Sequence, residues 1–208
     1  MSSSAHFLSL LVVVLFTCGQ VHAVMCGSDE MKVQKKGVDI ESNGCSKPAF
    51  IEVPGEEDFT YCCDRHDACY ATCNLSKSYC DTDFGNCMKK MCKSHFSTNT
   101  QCGAAAETYT MGTRVFGEEG YQDLQQRHCT CVDKNKMRDH YEDTIESYLS
   151  KYIDESKRNS TLSYMEKSKY TESKPQKLFY QIVKKFPQII QHIESRVSRR
   201  DIPGYDEL

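Results

Sequence analysis

Residues 62–73 read CCDRHDACYATC: four cysteines around a His-Asp pair, with no glycine or proline to interrupt them. A run of this length supports three helical turns. Wound as a helix, it puts Cys62, His66, Cys69 and Cys73 on one stripe and Cys63, Asp67 and Tyr70 on its neighbour. One face therefore carries cysteines with a histidine among them, and a carboxylate stands beside it.

A second helical segment, YCDTDFGNCMKKMC, follows at residues 79–92 after the short polar link NLSKS. If the two helices run antiparallel, facing residues share a constant index sum. Cys69 with Cys80 and Cys62 with Cys87 share the same sum, so two disulfides staple the pair in one register. That register delivers Asp81 to within a turn of His66. A carboxylate so placed holds one tautomer of the imidazole and stabilises its protonated form, while the other ring nitrogen acts as a base. Asp67 points elsewhere and stays free for a metal.

The rest of the 208-residue chain sets the compartment. Residues 7–16, FLSLLVVVLF, form an apolar run too short to span a bilayer but suited to a signal-peptide core, with VHA at 21–23 as the cleavage site. The expected leader is residues 1–23. It removes Cys18, and of the 13 cysteines an even twelve remain. An even set in a secreted chain reads as a disulfide framework. All twelve lie between Cys26 and Cys131, so the expected division is a cysteine-rich domain at 24–134 and a cysteine-free extension at 135–208. The net charge is -3, and neither part has the basic excess of a nucleic-acid binder. In the extension, Met137, Tyr141, Ile145, Tyr148, Leu149 and Tyr152 recur at helical spacing, as do Leu178, Ile182, Phe186, Ile189, Ile190, Ile193 and Val197. Pro187 should kink or break the second helix, and the polar segment between the two reads as a loop or frayed helix. These apolar faces pack on each other or on the cysteine-rich domain. Alternatively they hold a partner, with Lys184 and Lys185 suited to an acidic lipid surface.

The nonapeptide Cys62-Cys63-Asp64-Arg65-His66-Asp67-Ala68-Cys69-Tyr70 resembles the active-site helix of secreted phospholipases A2, and residues 80–87 resemble that family's second catalytic helix. The short inter-helix link and the upstream Asn43-Gly44-Cys45-Ser46-Lys47-Pro48 make the chain most similar to the group XII branch, over roughly residues 26–133. The resemblance implies a mainly α fold: a disulfide-stapled antiparallel helix pair with a calcium loop, followed here by a helical extension. It implies that His66 activates the water that attacks the sn-2 ester of a glycerophospholipid. Asp81 would orient His66, Tyr70 would support Asp81, and a Cys45–Cys63 disulfide would hold the loop. Calcium would be held by Asp67 and loop carbonyls, from Gly44, Ser46 and Pro48, or in a shifted register from Lys47, Ala49 and Ile51. Calcium takes oxygen ligands, so carbonyls can complete its shell. The implied partner is a phospholipid membrane or micelle surface.

The loop departs from the wider family in having no glycine after Cys45 in CSKPAFI, which leaves calcium affinity as the link to test. The alternative is a catalytically weak phospholipase-like module that binds lipid or a protein. A zinc site built from Cys and His is a further alternative, set against the oxidising compartment and the even cysteine count. Phe50, Ile51, Phe59 and Tyr61 lie near the loop and touch either lipid or core. Every pairing among Cys26, Cys73, Cys92, Cys102, Cys129 and Cys131 stays open. The sequons at Asn74 and Asn159 permit N-glycosylation, and the terminal YDEL departs from the ER-retrieval signal at its first position, leaving secretion or ER retention as alternatives.

Overall fold

The structure is a computed structural model that describes residues 24–45, 52–55, 57–167 and 175–193. The expected leader, the loop carbonyls of Ser46 and Pro48 with their alternatives Lys47, Ala49 and Ile51, the side chain of Phe50, and YDEL lie outside the described residues.

Strand β1 (Glu30–Gln34) and strand β2 (Ile40–Ser42) lead to helix α1 (Thr60–Ala71). Helix α2 (Lys77–Ser94), helix α3 (Cys102–Phe116) and helix α4 (Glu118–His128) follow, and strand β3 (Cys129–Asp133) returns antiparallel to β1. Helix α5 (Met137–Tyr152), helix α6 (Glu155–Lys167) and helix α7 (Pro175–Lys185) precede a 3-10 turn and strand β4 (Ile190–His192). β4 pairs in parallel with β2, with Ser42 opposite His192.

The α1–α2 pair forms as the index sums require: Cys62–Cys87 and Cys69–Cys80 are both disulfides, and Cys45–Cys63 ties the segment after β2 to α1. The open set resolves as Cys26–Cys131, Cys73–Cys129 and Cys92–Cys102. All twelve cysteines are thus spent, so the zinc alternative has no thiolate to use.

α1 is shorter than its sequence suggests. The chain leaves the helix at Thr72, whose backbone is extended and whose hydroxyl donates back to Ala68 O at 2.8 Å. Cys73 therefore does not continue the cysteine stripe. It turns away to meet Cys129, and Asn74 takes a left-handed φ of 63° before Ser76 caps α2 by accepting from the Tyr79 N–H.

In the extension the break expected at Pro187 occurs. Of the polar segment after Tyr152, residues 155–167 form helix α6, and the second apolar pattern is helical only as far as Lys185. Pro187 lacks the N–H that would continue the helix, so Ile189 falls in the 3-10 turn and Ile190 in a strand. The apolar faces pack inward: Tyr148, Leu149, Phe179, Val183 and Ile189 join Val33, Ile40, Ala68 and Ala71 in one buried cluster. Phe59 and Tyr61 are core residues of a second cluster around α1, α2 and α3.

Candidate functional site

Asp81 is the hub of the site. It lies one residue after the Cys69–Cys80 staple, on the face of α2 that meets α1, and is almost fully buried. Its Oδ1 stands 2.9 Å from His66 Nε2 and accepts the Tyr70 hydroxyl at 2.6 Å, while its Oδ2 accepts Lys77 Nζ at 2.8 Å. Burial alone would push this carboxyl up, but the three hydrogen bonds outweigh it and hold the group at about 2. Asp81 is therefore ionised at neutral pH and can only accept. His66 must donate Nε2–H, which leaves its Nδ1 lone pair as the base.

His66 is 7% exposed, and its ring sits between Tyr70 and Phe84 at centroid distances of 4.0 and 4.5 Å. Burial lowers its pKa below the ordinary value, and Asp81 opposes that effect. The neutral imidazole is thus the resting form, as a base requires.

Tyr70 is itself held from behind. Gly117 joins α3 to α4, and a Cβ there would stand 2.4 Å from Thr113 O and 2.7 Å from the Tyr70 hydroxyl. Only glycine lets the α3–α4 corner come this close. Thr113 O, one turn earlier, also accepts Lys77 Nζ at 2.8 Å, so the C-terminal end of α3 is clamped to the same cluster.

Asp67 reaches toward β2. Its Oδ2 accepts the Ser42 hydroxyl at 2.8 Å and the Asn43 N–H at 3.2 Å. The same Ser42 oxygen lies 2.7 Å from Oδ1 of the fully buried Asp64, which has His192 Nε2 at 3.3 Å on its other oxygen. One hydroxyl proton cannot serve two carboxylate oxygens, so one contact needs a proton from the carboxyl side. Asp67 suits that role: burial, with Asp64 nearby, raises its pKa to about 7 against the hydrogen bonds from Ser42 and Asn43.

Among the described residues the group suited to a hard dication is the carboxylate of Asp67. The hydrogen-bond partners of Asp67 among the described residues are neutral, and Gly44, with φ 69°, begins the turn into the loop tied down by Cys45–Cys63. No cluster of three or more His, Cys, Asp or Glu side chains that could hold a metal occurs among the described residues.

The structure thus brings together His66, Asp81 and Tyr70 and puts Asp67 beside Ser42 and Asn43, with Gly44 N–H donating to the same Ser42 oxygen. Sequence reasoning missed Lys77, Ser42, Asp64 and His192. Lys77 had a signal, since it precedes Asp81 by four residues on one helix face. Ser42 and His192 had none, because Ser42 meets α1 only when β2 packs on it, and His192 arrives only when β4 docks on β2.

The family model for the group XII secretory phospholipase A2 precursor matches residues 7–139. The group XIIA secretory phospholipase A2 of Mus musculus is 35% identical over 105 residues, 45% of this chain and 53% of that protein. The group XIIB secretory phospholipase A2-like protein of Mus musculus is 31% identical over 109 residues, 46% of this chain and 56% of that protein. Conodipine-P3 of Conus purpurascens is 37% identical over 73 residues, 34% of this chain and 40% of that protein. The chain spans about half the length of the group XII relatives it matches. No solved structure matches.

Proposed function

This chain belongs to the group XII secretory phospholipase A2 family, and from that premise we propose that it hydrolyses the sn-2 ester of glycerophospholipids with calcium, releasing a fatty acid and a lysophospholipid. The observation that carries this reading is the His66–Asp81 contact at 2.9 Å, with Tyr70 and Lys77 on the same carboxylate.

His66 Nδ1 takes a proton from water as the water attacks the ester carbonyl. The imidazolium that forms keeps Nε2–H on ionised Asp81, which offsets its charge. His66 then returns the proton to the departing glycerol oxygen. Asp67 and the carbonyl of Gly44, with Ser46 and Pro48 from the loop, would hold calcium. When bound, that ion polarises the ester carbonyl and stabilises the developing oxyanion.

The reading places the protein at a phospholipid surface. Met111, Val115 and Phe116 on α3 are 66, 61 and 82% exposed. They share helix α3 with Thr113, whose carbonyl accepts Lys77 Nζ, and offer an exposed apolar surface for lipid. Six disulfides suit an oxidising compartment and so the secretory pathway. Asn74, in the turn before α2, and Asn159, on α6, are both exposed and open to N-glycosylation.

The test is fatty-acid release from mixed phospholipid micelles, with calcium or with a chelator. Wild-type protein should release fatty acid only with calcium, and His66→Gln should lose at least about a hundredfold in rate. No calcium-dependent release by the wild type would overturn the enzyme reading. Liposome binding without release would leave the catalytically weak module in its place.

A further inference from the structure

A cleft of about 430 Å³ opens between α1, α2 and α7, and none of His66, Asp67 or Asp81 lines it. Its charged lining is Arg65 from α1, Asp83 and Lys90 from α2, and Lys184 and Lys185 from α7. Asn86 adds an amide. Four cations therefore surround one carboxylate.

The deeper part of the lining shows the imbalance most clearly. Arg65 and Lys184 have side chains only 18 and 17% exposed, and both depend on Asp83. Asp83 Oδ2 accepts Arg65 Nη2 at 3.1 Å and the Tyr180 hydroxyl at 2.7 Å, and Lys184 Nζ stands 3.6 Å from Oδ1. The other guanidinium contacts are poor: Nη1 reaches Tyr61 Oη only at 3.4 Å and Cys87 Sγ at 3.7 Å, and Nε is buried without a partner. Two largely buried cations thus share one anion, with ring faces as further support: Arg65 lies 5.4 Å from the Tyr61 centroid and Lys184 Nζ 4.6 Å from that of Tyr180. Burial lowers the pKa of Lys184 and Arg65 lowers it further, while Asp83 raises it. Lys90 and Lys185 are exposed and line the same opening, with Lys185 Nζ 5.4 Å from the centroid of the Phe186 ring.

A lone carboxylate ligand would leave most of this charge uncompensated. A phosphate carries about two negative charges and three acceptor oxygens, enough to bridge Lys184, Lys185 and Lys90 over the guanidinium. We infer that the cleft between α1, α2 and α7 binds a terminal phosphate group, a second site built jointly by the stapled helices and the C-terminal extension. The phosphate comes either from a lipid whose headgroup is a phosphate monoester or from a soluble phosphate. The inference does not rest on the phospholipase reading.

The full-length mature protein is titrated calorimetrically with inorganic phosphate at constant ionic strength. Its binding to phosphatidylcholine vesicles is also measured with and without phosphatidate. Saturable phosphate binding is expected. Lys184→Gln should weaken it about tenfold, as loss of one charge-assisted hydrogen bond does. The exposed double variant Lys90→Gln/Lys185→Gln, which disturbs no packing, should weaken it comparably. Lys184→Arg should retain it, and so should the control Lys136→Gln, an exposed lysine in the turn between β3 and α5 that does not line the cleft. Binding to phosphatidate vesicles that free phosphate competes away identifies a lipid source, and binding of free phosphate alone identifies a soluble one. No saturable binding in either arm overturns the inference, as does binding that Lys184→Gln and Lys90→Gln/Lys185→Gln leave unchanged. His66→Gln should not alter phosphate binding, so failure here and failure of the catalytic reading are separable.

Discussion

A single carboxylate sets the behaviour of the histidine. Asp81 stays ionised because three donors converge on it, and its charge and hydrogen bond hold the His66 pKa up against burial. The active base is neutral His66, so activity should rise as pH climbs through that pKa, which lies below about 6.5. In Asp81→Asn the upward pull is gone, so the rising limb of kcat/KM should move to still lower pH while kcat falls at least about tenfold. A pH profile of the purified variant checks this, and a limb that stays in place or moves upward would contradict it. Tyr70→Phe removes one hydrogen bond to a charged acceptor and should cost roughly 1.5–3 kcal/mol in denaturant unfolding. His66, Asp67, Tyr70 and Asp81 were legible because one nine-residue motif and one disulfide register place them. Asp64 lies inside that motif, yet its part was hidden: Ser42 reaches it only once β2 packs on α1, and His192 only through the β2–β4 pairing.

At the scale of elements, the disulfides separate stability from placement. Cys69–Cys80 and Cys92–Cys102 close loops of nearly equal length, with sequence separations of 11 and 10. Loop-closure entropy therefore assigns each a similar contribution, about 2.7 kcal/mol. Only Cys69–Cys80 lies next to both Tyr70 and Asp81. Cys69→Ala/Cys80→Ala should lose far more kcat/KM than Cys92→Ala/Cys102→Ala at a similar cost in unfolding free energy, and equal losses of activity would show that the staple has no positioning role. The exposed ridge on α3 gives a complementary case. Val115→Ser/Phe116→Ser should reduce hydrolysis at vesicles severalfold through lost apolar contact, yet leave a monomeric short-chain phospholipid almost unaffected. The α1–α2 pair could be read from sequence because cysteine spacing encodes register. Strand β4 could not, since a helical period continues past Pro187 in the sequence while the missing N–H ends the helix in the chain.

For the whole molecule, the question is whether the cysteine-rich part and the extension unfold together. Composition divides them near residue 134, but packing does not follow that division. Phe179 is 1% exposed and meets the Tyr148 ring edge-on at 5.3 Å, in the same cluster as Val33, Ile40 and the α1 residues Ala68 and Ala71. Tyr180 adds hydrogen bonds to Arg65 O and Asp83 from the same helix, and β4 completes a sheet with β2. Phe179→Ala leaves a ring-sized void among these elements and should cost about 3–5 kcal/mol. The wild type should then melt in a single calorimetric transition, and the variant in a single transition at lower temperature, with catalytic activity lost over the same range. Disulfides cannot mask this outcome, because all six lie within residues 26–131 and none reaches α7. Two resolved transitions, with the one tracking activity unmoved by Phe179→Ala, would instead make the extension an independent unit resting on a self-sufficient catalytic core.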